Sequence, residues 1–197
     1  MALSKLGVAR CQLATAMDLF IRDRDPISIQ CLACGAGELL EELARIRGIN
    51  PFSTHILEQQ PNLDEAGLRR IRNRYWNAFK HLSHKDGLPR DDGEILSAFK
   101  DNQNDAALFV AWRDYQAVTG KLPVAAQVFQ VWWYSLNENK LGPLADIERI
   151  RSPFPNINLQ DRSEQKRRLR RTYEKWRNDR VLLSDRRSEP TLHVQFV

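Results

Sequence analysis

A chain of 197 residues with 42% apolar and 28% charged side chains can bury one substantial core, is short for two ordinary domains, and lacks the apolar-poor balance of a disordered chain. No apolar run approaches the ~18 residues of a membrane span, and the start MALSKLGVAR lacks the long apolar stretch of a secretory signal. The expectation is a cytoplasmic protein without membrane contact, whose net charge of +5 leaves an anionic partner open.

Leu6, Leu13, Met17 and Phe20 stripe a first helix from about Leu3 to Arg22. Asp25 caps and Pro26 opens a second, which runs to about Arg47 and stops at Gly48; the short DRDP link predicts an antiparallel hairpin. Gly35 and Gly37 weaken this helix, and a neighbour passing close there is the natural reason for them. Cys31 and Cys34 form a C-x-x-C, and Cys11 makes the set odd. With no second pair and no strand leading in, these thiols read as small buried hydrophobes rather than as a zinc or redox site.

The turn INPFS leads to a short helical piece, STHILEQQ, which ends at Pro61. Asn62 or Asp64 then caps a helix predicted to end at Gly87 and Pro89. Leu68, Ile71, Tyr75, Phe79 and Leu82 share its inward face at helical spacing. At about 100° per residue, Arg70, Arg74, Asn77 and His81 fall in a narrow arc on the opposite side. A guanidinium, an amide and an imidazole on one face can hold a phosphate and move a proton; the same pattern also suits a wet helix surface. His84, Lys85 and Asp86 fit a helix C-terminus and the turn after it. His81 and His84 can bridge a metal at i, i+3, but no Glu of an H-E-x-x-H accompanies them, and no metal site is expected.

A loop, DGLPRDDG, precedes a helix from about Asp101 to Thr119 striped by Leu108, Val110, Trp112 and Tyr115 and closed by Gly120. Pro123 starts PVAAQVFQVWWYSL, apolar nearly all round and so central to the core, with Trp132 and Trp133 structural. After Leu141 an irregular, proline-containing connector lies against the body. A basic helix follows from about Asp161 to Arg180, and SEPTLHVQFV forms a short extended tail whose LHVQFV adds a strand to a partner or stays loose. No strand pattern elsewhere can pair with it. The fold expected is an all-α antiparallel bundle over residues 1–140, with residues 141–197 as a basic helical extension packed on it or projecting from it.

The charge is concentrated: residues 148–187 hold 13 Lys or Arg against 6 Asp or Glu, so the rest of the chain is slightly acidic. Lys166, Arg167, Arg168, Arg170, Arg171 and Arg177 can meet phosphates, with Arg70 and Lys80 of the earlier helix as further candidates. Leu169, Tyr173 and Trp176 recur at i, i+4, i+7 and fasten the basic helix to the body, which leaves a solvated surface or a protein contact as the other reading. There is no G-x-x-x-x-G-K, G-x-S-x-G or dinucleotide fingerprint, so common nucleotide-dependent enzymes are disfavoured and no cofactor is expected.

KLGVARCQLATAMDLF, the Asp25–Pro26 turn, SIQCLACGAGELL, the N-x-F-K-H of Asn77 to His81, and VFQVWWYSL together resemble a family of uncharacterised bacterial helical proteins, over the first 140 residues. That resemblance brings no activity with it. More distantly, a helical hairpin followed by a helix with Arg, a polar residue and His resembles the HEPN superfamily, which contains dimeric, metal-independent RNA-cleaving domains and degenerate binders. Its motif is Arg, four to six residues, then His; Arg74 and His81 have six between them, with Tyr75 where a polar residue commonly follows the Arg. The resemblance implies that His81 moves protons at an RNA 2′-hydroxyl or leaving oxygen, that Arg74 stabilises charge on the phosphate, and that Asn77 orients the imidazole. It further implies a homodimer that brings a second copy of the cluster across a two-fold axis. The rival expectation is a non-catalytic adaptor whose basic tail holds a protein partner.

Overall fold

The computed structural model describes residues 3–194. Helix α1 (Lys5–Ile21) starts where Ser4 Oγ accepts the Gly7 N–H at 3.1 Å. Helix α2 (Pro26–Ile46) starts where the Asp25 carboxylate accepts the Ile27 and Ser28 N–H groups at 3.1 and 3.2 Å, and Gly48 follows it at φ +69°. The link over 22–25 folds α2 back along α1. Beyond α3 (Phe52–Gln59) and α4 (Glu65–Lys80) come a short α5 (Gly93–Ser97) and then α6 (Gln103–Thr119), which Gly120 closes at φ +72°. Contacts between α2 and α6 advance together along both helices. Asn104 Nδ2 donates to Pro26 O at 3.0 Å, a methyl at Gly37 would lie 3.6 Å from Ala111 Cβ, and Arg47 Nη1 donates to Val118 O at 3.1 Å. The two helices therefore run parallel, and Gly37 is where α6 passes.

Helix α7 (Val124–Leu136) supplies the centre of the core. Its Phe129 and Trp132 meet Phe20 edge to face at 5.4 and 5.9 Å, and Trp133 stacks on Phe109 at 3.8 Å. The connector holds only the short α8 (Ile147–Arg151) and a 3₁₀ turn, Ile157–Leu159, yet it inserts Phe154 and Ile157 into the core. Helix α9 (Arg162–Trp176) is capped by Asp161 and tied to α7 by Trp132 Nε1 donating to Gln165 O at 3.1 Å. Leu169 is fully buried, with Tyr173 and Trp176 packed against the core at the spacing expected for an anchored helix. With ten α-helices and one pair of two-residue strands among the described residues, the fold is all-α. No described helix is long and apolar enough to cross a membrane.

Four sequence expectations are corrected. Helix α4 ends at Lys80 rather than near Gly87. His81 N–H still donates to Asn77 O, but its backbone turns extended, and residues 82–90 fold into a small antiparallel loop instead of further helix. Arg90 N–H donates to Leu82 O and His84 N–H to Leu88 O, around a turn closed by Gly87 N–H to His84 O with Gly87 at φ +85°. Second, the loop expected over 86–93 is kept as far as Asp92, but the stretch between it and the helix expected from about Asp101 holds an unexpected one, α5. Third, Ile71 and Leu82 do not face inward: they are 65% and 93% exposed. The inner face of α4 instead turns towards Arg72 and Asn73, which bond to Glu41 and Glu38 of α2, and Trp76, which lies over Gly35 of the same helix.

The fourth concerns the tail, which is neither loose nor unpaired through residue 192. Ser188–Glu189 (β2) pairs in parallel with Leu122–Pro123 (β1), and Leu192 joins the core. Buried Arg10 clasps it, donating from Nε to Glu189 Oε2 at 2.8 Å, from Nη1 to Leu192 O at 2.6 Å and from Nη2 to Thr191 O at 2.9 Å. The Tyr115 hydroxyl donates to the other Glu189 oxygen. Of the strand proposed over LHVQFV, residues 195–197 lie outside the described residues.

Candidate functional site

Asp64 starts α4 by accepting the Gly67 N–H at 2.7 Å. On the inner side, Arg72 bridges to Glu41, which also accepts from Ser53 Oγ and Arg45 Nη2, both at 2.7 Å. Burial acts to raise the Glu41 pKa, but the hydrogen bonds from Ser53 and Arg72 outweigh it and hold the carboxyl below its ordinary range. Asn73 Nδ2 donates to Glu38 at 2.9 Å, and Tyr75 packs with Phe79 and Phe99. This polar hub went unseen in the sequence. Its one visible signal was Glu41 and Arg45 at i, i+4 beside apolar leucines.

The outer side is different in kind. Arg70 and Arg74 are exposed, one turn apart, and neither has an ion pair among the described residues. Arg74 leans on the Tyr75 ring at 5.5 Å, and Lys80 Nζ sits 4.2 Å from the Trp76 ring centre. Asn77 is half-buried one turn on, and exposed His81 ends the helix. Arg70, Arg74 and Asn77 thus lie on α4, while His81 stands just past its end with an extended backbone, and no side-chain hydrogen bond among the described residues joins the four.

Part of the charge of the basic helix is paired within the molecule. Arg162 is held by Asp101 and Asp105, with Nη1 and Nη2 2.9 and 2.7 Å from Asp105 oxygens. Arg167 and Arg168 both donate to Glu164, whose pKa their hydrogen bonds hold down to about 2, and Arg177 pairs with Glu174 at 3.0 Å. Lys166, expected among the phosphate-binding residues, is 3% exposed: it faces the core because it lies one turn before Leu169 on the docked side. Arg170 and Arg171 alone of the named basic residues on α9 are exposed without an ion pair among the described residues.

Cys34 is buried beside half-buried Cys31, and burial pushes its thiol up to about 12, so it stays neutral. Among the described residues no group of three His, Cys, Asp or Glu side chains is placed to hold a metal. No protein-family model, curated protein or solved structure matches the chain.

Proposed function

We propose that this protein binds RNA as a HEPN-like helical domain, through the outer face of α4. The observation that supports the reading is the pair of exposed guanidinium groups of Arg70 and Arg74, one turn apart and without an ion pair among the described residues, on the helix that carries Asn77 and ends at His81. Two arginines one turn apart can each fork onto a phosphate oxygen pair, and release of counterions drives the contact. In the catalytic form of this reading Arg74 stabilises charge on the phosphate and His81 moves the proton, without metal. A second copy across the same face completes the site as a homodimer.

The test is sedimentation of the full chain with labelled single-stranded RNA across a salt series. R70Q/R74Q should weaken binding and flatten the log–log salt dependence by about 1.4, at ~0.7 per lost phosphate contact. H81A should abolish any metal-independent cleavage and leave binding in place. An unchanged salt slope in the double variant would overturn the reading.

Exposed Leu82, Leu88 and Leu96 after α4 favour the adaptor reading. Salt-insensitive capture of a single protein, with no RNA affinity, would move the assignment there.

A further inference from the structure

α4 lies antiparallel to α2, since Arg72 meets Glu41, Asn73 meets Glu38 and Trp76 meets Gly35. Towards the C-terminal end of α2 and the N-terminal end of α4, the two helices and α3 enclose an open pocket of about 340 Å³. Leu57, Ala66 and Leu68 give it an apolar wall, and Arg45, Arg69 and Arg72 bring three arginines to it. Glu41 and Glu65 oppose them, which leaves one positive charge in excess.

Both oxygens of Glu41 are occupied: Oε1 accepts from Ser53 Oγ and Arg45 Nη2, and Oε2 from Arg72 Nη1. One buried carboxylate thus fixes two guanidinium groups from different helices, and each keeps donors that no protein group uses. Arg72 gives Nε to Asn73 Oδ1 at 3.4 Å, while its Nη2 makes no bond and is open to solvent. Arg45 has Nε and Nη1 free on a half-exposed side chain. Arg69 is exposed, and its side chain holds neither a hydrogen bond nor an ion pair among the described residues. Glu65, exposed in the first turn of α4, likewise has no ion pair there. Three forked donors exceed the two oxygens of a carboxylate and match the three terminal oxygens of a phosphomonoester.

We propose that the pocket between α2, α3 and α4 binds a phosphomonoester group through Arg45, Arg69 and Arg72. Its source is a small sugar phosphate or the phosphorylated end of an RNA, which present the same chemistry to the arginines. The site does not rest on RNA binding by the outer face, since Arg69 and Arg72 lie about 100° and 160° round α4 from Arg70.

Calorimetric titration of the full chain with ribose 5-phosphate and with ribose tests the first source. Sedimentation with 5′-phosphorylated and 5′-hydroxyl single-stranded RNA of one sequence tests the second, both at low salt. In at least one arm the phosphate should tighten binding about tenfold or more, as charge-assisted hydrogen bonds do. A preference in the sugar arm alone names a free sugar phosphate as the source; a preference in the RNA arm names the RNA end. Arg45→Gln combined with Arg69→Gln should bring the ratio close to one, with circular dichroism confirming the fold. Arg69→Gln alone, at an exposed side chain without a partner, should lower the ratio even where the double variant unfolds. Arg70→Gln combined with Arg74→Gln should weaken both RNAs and leave the ratio unchanged. Ribose 5-phosphate binding without any RNA affinity would sink the RNA reading and support this one. No phosphate preference in either arm, a preference that survives loss of Arg69, or one that R70Q/R74Q removes would each overturn the proposal.

Discussion

Replacing Lys166 with Met should stabilise the protein, although it removes a charge flanked by two carboxylates. The ammonium is buried with Nζ 3.3 Å from the centre of the Phe20 ring, 3.6 Å from Asp23 Oδ1 and 3.7 Å from Asp101 Oδ1, and it has no hydrogen-bond partner. Burial is the main cause that pulls its pKa from 10.5 down to about 8; Asp101 and Asp23 oppose the fall without cancelling it. At about 1.4 kcal/mol per pH unit, holding the charge in the folded state costs about 3 kcal/mol at neutral pH. Met keeps the length of the stem over Phe20 and leaves Asp101 paired with Arg162 and Asp23 exposed to solvent. The expected gain is about 1–3 kcal/mol at pH 7, in line with replacement of buried ions by apolar side chains. Its pH dependence follows from the folded value lying below the unfolded one. The unfolded chain holds more protons between about pH 8 and 10.5, so the cost is complete below pH 8 and fades as pH rises through that window. Urea unfolding of both proteins at pH 7 and pH 10 measures it, through a midpoint difference that shrinks at the higher pH. A Met variant less stable than the parent at pH 7 would refute the reasoning, because the ammonium would then be a net anchor of α9.

The neighbouring charge should behave in the opposite way. Arg162→Met strips Asp105 of its paired guanidinium hydrogen bonds and should cost about 3–5 kcal/mol in the same urea assay. Asp114 is buried and accepts the Phe52 N–H at 2.7 Å, and burial raises its carboxyl to about 6. Because the folded value exceeds the unfolded one, the ionised group costs stability as pH rises from about 4 to 6. Asp114→Asn should therefore gain up to about 3 kcal/mol at pH 7 and little at pH 4, measured as the difference between thermal unfolding at the two pH values. Gly37→Ala should stabilise by ~0.5–1 kcal/mol, since its methyl would meet Ala111 Cβ at an ordinary 3.6 Å; a loss of stability would show that α2 and α6 are closer than this spacing.

The limits of sequence reading show in particular residues. On α4 the apolar spacing pointed to Leu68, Ile71, Tyr75, Phe79 and Leu82, yet the inner face is rotated by about half of the 100° step towards Arg72. Glu41 decides that rotation, from 31 positions earlier in the chain, and no local pattern on α4 encodes it. The end of the same helix did carry a signal: Asp86–Gly87 is a hairpin dipeptide, and its turn pulls Leu82 to Arg90 out of the helix. In α9 the spacing identified the docked side through Leu169 but not that Lys166 shares it, since a basic run reads as solvated until its neighbours are known. The two-residue strands are too short for any alternation, and only the Arg10 clasp makes sense of them.

By itself the sequence determined the all-α class, the α1–α2 hairpin through its Asp25–Pro26 start, the central place of α7 and the capped start of α4. These follow from caps, glycine stops and helical spacing, which act within a few residues. Tertiary structure alone decided which charges are buried, how far the inner face of α4 turns towards Arg72, and how the tail returns to Arg10. Those outcomes depend on electrostatic and packing partners far apart in the chain, and their energies exist only once the helices have met.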